Sequence, residues 1–146
     1  MTNTATAHVS ATSTTTGSRG LSIALWVVQA MLAFAFVGSG LMKLTTPHEA
    51  LAAQMPWVAD APSFLPLFIG AAEVLGALGL ILPSVTRIQP KLTPLAAAGL
   101  ATVMVLAAAT HVMYGEFFML LPNAVLGGLA AFVAWGRFGP AAITAR

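Results

Sequence analysis

The chain contains no cysteine. That excludes disulfides, thiolate metal sites, iron–sulfur clusters and any dithiol redox step carried by its own side chains. If it takes part in electron transfer, a cofactor or a partner must carry the electrons. Charge is nearly as scarce, at 7% of residues against roughly 25% in soluble globular domains. With 58% hydrophobic residues in a chain of 146, the composition points to the bilayer as solvent and to one small membrane domain. The net charge is only +2, with no basic cluster that could neutralise a run of phosphates, so nucleic acid is excluded as a partner.

What is present is a series of long apolar blocks. Residues 1–20 are rich in Thr, Ser and Ala without apolar periodicity and read as a disordered cytoplasmic tail. Residues 21–43 then run without charge as far as Lys43, enough at 1.5 Å per residue to cross a hydrocarbon core of roughly 30 Å. A cleaved signal peptide is the competing reading, since Arg19 precedes the block and Ala33-Phe34-Ala35 imitates a cleavage site. The block continues through Val37 and Leu41, longer than a signal core, which favours a membrane helix. Further helices are expected over about 64–82, 94–113 and 117–135. Pro62 and Pro66 suit the start of the second and Pro83 its stop. Tyr114-Gly115-Glu116 makes a tight hairpin between the third and fourth. Pro122, about one turn inside the fourth, predicts a kink or a late start.

The fold expected is therefore all-α, an integral-membrane four-helix up-down bundle over 21–137, with both termini cytoplasmic and a cytoplasmic tail over 138–146. Charge placement supports the count. Four spans put Arg19, Arg87, Lys91, Arg137 and Arg146 on one side and only Lys43 on the other, as short cytoplasmic loops rich in Lys and Arg require. Trp26, Trp57 and Trp135 fall near helix ends, where aromatic belts lie. In the 44–63 loop, residues 49–55 suit a short amphipathic turn ending at Pro56, resting on the outer membrane surface with Trp57 at the headgroups.

Polarity inside the apolar blocks is confined to Gln29, Glu73, His111, Asn123 and the border residue Lys43. Glu73 lies nine residues past Phe64, roughly 13 Å into the membrane. A carboxylate there must pair, face water or carry its proton, and intramembrane ionisable groups are functional candidates by default. Lys43 and His111 both fall toward the outer side, so Glu73, His111 and Lys43 form a candidate polar site. Helix tilt or a water would have to close the difference in depth. The bland readings are that Glu73 bonds across to Gln29 or a backbone carbonyl, that His111 is solvated at the interface, and that Lys43 snorkels. Asn123 suits a bond to a neighbouring helix or a cap after Pro122. His48 and His111 are too few and too far apart for a metal site. Gly70, Glu73 and Ala77 share one stripe, and the pairs Ala72/Gly76 and Ala124/Gly128 predict close helix crossings. Gly38-Ser39-Gly40 lacks the preceding strand and third glycine of a nucleotide loop.

Several local runs resemble the DoxX-like family of small four-helix membrane proteins related to DoxX and DoxD. They are Gly38-Ser39-Gly40-Leu41-Met42-Lys43-Leu44, Ile69-Gly70-Ala71-Ala72-Glu73-Val74-Leu75-Gly76, Leu82-Pro83, Leu92-Thr93-Pro94-Leu95-Ala96 and Ala109-Thr110-His111. The resemblance covers almost the whole chain after Gly20. It implies a multi-pass protein of the inner membrane whose polar positions are Lys43, Glu73 and His111. Some relatives serve as subunits of membrane thiosulfate–quinone oxidoreductases, which makes a non-covalent quinone the implied cofactor. Redox-complex subunits or a homo-oligomer are the implied protein partners. The missing cysteine argues against any thiol-based role. The rival readings are a small proton-coupled transporter using Glu73, or an assembly partner without chemistry.

Overall fold

A computed structural model describes residues 15–146 of the protein. The described residues are helical and contain no strand. In chain order they form α1 (Thr15–Thr45), α2 (His48–Gln54), α3 (Pro56–Asp60), α4 (Phe64–Thr86), α5 (Leu92–Met113), a 3-10 turn (Phe117–Met119) and α6 (Leu120–Phe138). Four segments are long and apolar enough to cross a membrane: Arg19–Thr45, Phe64–Thr86, Leu92–Met113 and Phe117–Phe138. The protein is thus a multi-pass membrane protein. Residues 1–14 of the expected tail lie outside the described residues, whereas 15–20 belong to the first turns of α1.

Each long helix buries one narrow stripe. On α1 it is Leu25, Gln29, Leu32, Phe36, Gly40 and Lys43; on α4 it is Gly70, Glu73, Ala77, Leu80 and Ser84. The three- and four-residue spacing keeps these side chains on one face. The remaining faces are apolar and open, as Phe34, Phe68, Val105 and Leu121 illustrate. In water such a surface would aggregate; here it faces lipid. Lipid is as apolar as leucine, so what holds the helices together is close packing and internal polar bonds. Between α1 and α4 backbone meets backbone. A Cβ on Gly40 would stand 2.7 Å from the Gly70 carbonyl oxygen, and one on Gly70 would stand 2.8 Å from that of Gly40. Gly76 lies against Leu100 of α5, as a small-residue crossing requires. The Ala124/Gly128 pair does not make one. Gly128 is exposed with open space around it, and Gly127 meets Met104 instead, because the packed stripe of α6 runs through Ala130 and Val133.

Two prolines behave differently from each other. Pro83 does not stop α4, which continues to Thr86. The proline sits in the last turn and removes one amide, that facing the Gly79 carbonyl, while the Thr86 hydroxyl donates to the Leu82 carbonyl at 2.7 Å. Pro122 lies in the first turn of α6 after the 3-10 segment, the late start that the sequence predicts. In the 44–63 loop α2 ends at Gln54 and Pro56 opens α3, and Leu51 and Val58 are buried.

Candidate functional site

Lys43 and Glu73 meet between α1 and α4. The Lys43 Nζ donates to Glu73 Oε2 at 2.9 Å and Oε1 at 3.1 Å, and to Ser39 Oγ at 2.6 Å. Lys43 is 7% and Glu73 2% exposed. The gap in depth anticipated from sequence closes without a water. The contacts Lys43–Glu73 and Gln29–Leu80 show that α1 and α4 run in opposite directions. Helical side chains lean toward their own N-termini, so in this pair the two lean toward each other. Ser39, one turn before Lys43, receives the ammonium on its way. The Gly40/Gly70 crossing lies one turn from each partner and brings the backbones close enough for a two-oxygen contact. Lys43 therefore does not snorkel: the paired carboxylate offers a better site than the interface. Glu73 bonds neither Gln29 nor a backbone carbonyl.

Lys43 also lines a cleft of about 430 Å³ between the end of α1, the start of α4 and α2. Leu44, Leu51, Phe64, Pro66 and Leu67 give it apolar walls, with His48 and Ser63 at the polar edge. His111 stands apart from this pair. Its Nδ1 is 2.6 Å from Glu116 Oε2, five residues on, and the turn is closed by the Glu116 amide donating to the His111 carbonyl at 2.8 Å. No hydrogen bond among the described residues joins His111 to Lys43 or Glu73. Nearby, the Tyr114 hydroxyl donates to Asp60 Oδ2 at 3.0 Å and ties the end of α5 to α3. That bond, with some desolvation and the Asp60 charge, raises the phenol above its ordinary value.

A second polar cluster, at the other end of the bundle, was missed by the sequence reasoning. Arg137 Nε donates to Gln29 Oε1 at 2.7 Å, and Gln29 Nε2 donates to the Leu80 carbonyl at 2.6 Å and Ser84 Oγ at 3.3 Å. Ser84 and Thr93 share a hydroxyl bond of 2.9 Å. Arg137, counted from sequence as a loop charge, is only 4% exposed. The signal was its spacing: Ala130, Val133 and Arg137 share one stripe, as do Ala77, Leu80 and Ser84. Asn123 neither caps α6 nor bonds a neighbour, since its Nδ2 is buried without a hydrogen-bond partner among the described residues.

Comparison with known proteins gives the family. The DoxX-like family profile matches residues 27–133, a stretch that includes Lys43, Glu73 and His111. No curated protein and no solved structure matches the chain.

Proposed function

The chain belongs to the DoxX-like family, and from that premise we propose that it is an accessory subunit of an inner-membrane redox system that holds a quinone headgroup beside Lys43. The topology that goes with this reading is up-down, with both termini cytoplasmic, supported by the gathering of Arg19, Arg87, Lys91, Arg137 and Arg146 toward one end. The observation that carries the proposal is that Lys43, buried and charge-balanced by Glu73, lines a cleft with apolar walls and a few polar side chains, Thr45, Thr46, His48 and Ser63. An apolar pocket with a few converging polar groups is the usual form of a lipophilic ligand site.

The donor set fits a carbonyl oxygen. All three ammonium donors are engaged, but two of them go to one carboxylate. Glu73 can give up the longer contact to an incoming oxygen and still balance the charge through the shorter one. A bound quinone would supply the electron-carrying chemistry that a chain without cysteine lacks. The chain's own residues would orient the headgroup through Lys43, keep that lysine in place through Glu73 and Ser39, and exclude water with Leu51 and Phe64. His111, held by Glu116, is outside this arrangement.

A second reading is favoured by the same full engagement of Lys43: the pair is a clamp between α1 and α4 and handles no ligand. Purification in mild detergent, with mass spectrometry of co-purifying quinones, lipids and proteins, separates the two. The expected result is a quinone retained by the wild type and lost from Glu73→Gln and from the neutral pair Lys43→Gln/Glu73→Gln. Identical profiles in all three, with the double variant folded, would leave only the clamp.

A further inference from the structure

The end of the bundle away from Lys43 and Glu73 holds a cation that no acidic side chain balances. Every polar partner of Arg137 is neutral: Gln29 Oε1 at 2.7 Å, the Ala141 carbonyl at 3.1 Å and Ser22 Oγ at 3.5 Å. Its guanidinium carbon lies 5.3 Å from the centroid of the Trp26 ring. Its Nη2 is buried with no hydrogen-bond partner among the described residues. The four acidic residues of the whole chain are Glu49, Asp60, Glu73 and Glu116. Glu73 is held by Lys43, fourteen residues from Gln29 along α1 and so roughly 21 Å away. Glu49, Asp60 and Glu116 belong to that same distant end. No carboxylate side chain can reach Arg137, and a guanidinium does not shed its proton to escape burial. A buried charge of this kind is costly unless a counter-charge meets it.

The surroundings supply a place for one. Arg137 lines a cleft of about 330 Å³ together with Arg87, Ser22, Ser84 and Trp26, roofed by the segment that follows α6. Arg87 is exposed and adopts a left-handed conformation, φ 58°, at the end of α4. Its carbonyl accepts from the Arg146 amide at 3.3 Å, fixing the roof against the α4 end. Two arginines and three hydroxyl residues, Ser22, Ser84 and Thr144, line this one small cleft, a set suited to the oxygens of a phosphate, which arginine binds through two parallel donors.

We propose that this cleft binds a phosphate group, with Arg137 as the buried anchor and Arg87 as the outer clamp. Its position at the ends of the spans puts it level with lipid headgroups, so the phosphate can belong to a lipid or be free in solution.

The test uses the full chain in neutral detergent with three probes: inorganic phosphate, phosphatidylglycerol and diacylglycerol, which has no phosphate. Unfolding temperature and native mass spectrometry are the readouts. Phosphatidylglycerol or inorganic phosphate is expected to stabilise the wild type and diacylglycerol to do nothing. A response to phosphatidylglycerol alone assigns the site to a lipid headgroup, and a response to inorganic phosphate assigns it to the phosphate group itself. Arg87→Gln leaves the bonds of Arg137 untouched and should weaken binding by roughly tenfold or more. Arg137→Gln should abolish it. If Arg137→Gln does not fold, Arg87→Gln decides alone. No response to either phosphate probe, a response to diacylglycerol equal to that of phosphatidylglycerol, or equal responses in wild type and Arg87→Gln, would overturn the proposal.

Discussion

The two ends of this small bundle handle buried charge in opposite ways. At one end Lys43 and Glu73 neutralise each other, and two further carboxylates find donors, Glu116 in His111 and Asp60 in Tyr114. At the other end Arg137 is equally buried but surrounded by amides, hydroxyls and an indole. At the first end the buried charges pair with each other within the chain; at the second the buried cation meets no acidic side chain. The two ends should therefore respond differently to mutation and to what is in solution.

The largest effect is expected from breaking the complete end. Lys43→Met leaves the Glu73 carboxylate buried without its cation and should cost about 3–5 kcal/mol, the usual penalty for removing one partner of a buried pair. Lys43→Met/Glu73→Leu should recover most of that loss, because two charges leave together. Arg137→Met is the counterpart at the other end. It removes an uncompensated cation but takes the donor from the Gln29 amide oxygen and the Ala141 carbonyl, so in detergent free of phosphate it should cost about 1–3 kcal/mol. Thermal unfolding of the three variants checks the ranking. Equal losses for Lys43→Met and Arg137→Met would remove the distinction between the ends.

The crossing that supports the ion pair gives the next effect. Gly70→Ala places a methyl 2.8 Å from the Gly40 carbonyl oxygen and 2.9 Å from the Lys43 Cβ. Neither neighbour is the tip of a flexible chain, so α1 and α4 must separate, at about 1–3 kcal/mol. Gly128→Ala meets nothing within 4 Å and should be neutral or stabilising by up to about 1 kcal/mol through helix propensity. A Gly70→Ala protein as stable as the wild type would mean that the close approach is not needed to set the Lys43–Glu73 contact.

These contrasts explain what could be read from the sequence. Four spans were legible because bilayer thickness turns hydropathy into helix length, and Lys43 and Glu73 were legible because charge in an apolar block is costly. His111 was misjudged as a member of their cluster: sequence distance gives its depth but not its facing, and a local partner, Glu116, captured it. Arg137 was read as a loop charge because it closes the last apolar block, although its register with Ala130 and Val133 already put it on the packed face. Register along a stripe is thus as informative as position in a block, and it had been applied to Gly70, Glu73 and Ala77 but not to α6. The Gly40/Gly70 crossing escaped because a small-xxx-small search works within one helix, whereas the two glycines act across two.

The smallest effect sharpens the claim that the Lys43 end is internally satisfied. Tyr114 is the only tyrosine of the chain, so its ultraviolet titration is free of overlap from other phenols. The bond to Asp60 raises it above the ordinary value of 10.0, which means that folding favours the neutral phenol. The linked stability is fully present below pH 10 and is lost as pH rises through the higher folded value. The titration in detergent should show a midpoint above 10, returning toward 10 in Asp60→Asn, which removes the negative charge. Because Tyr114 is solvent-exposed, Tyr114→Phe should leave the unfolding temperature at neutral pH nearly unchanged. A midpoint at 10 in the wild type would show that α3 is not tied to the end of α5 in the membrane-extracted protein. The balanced set of contacts at that end would then shrink to the buried Lys43–Glu73 pair and the His111–Glu116 turn.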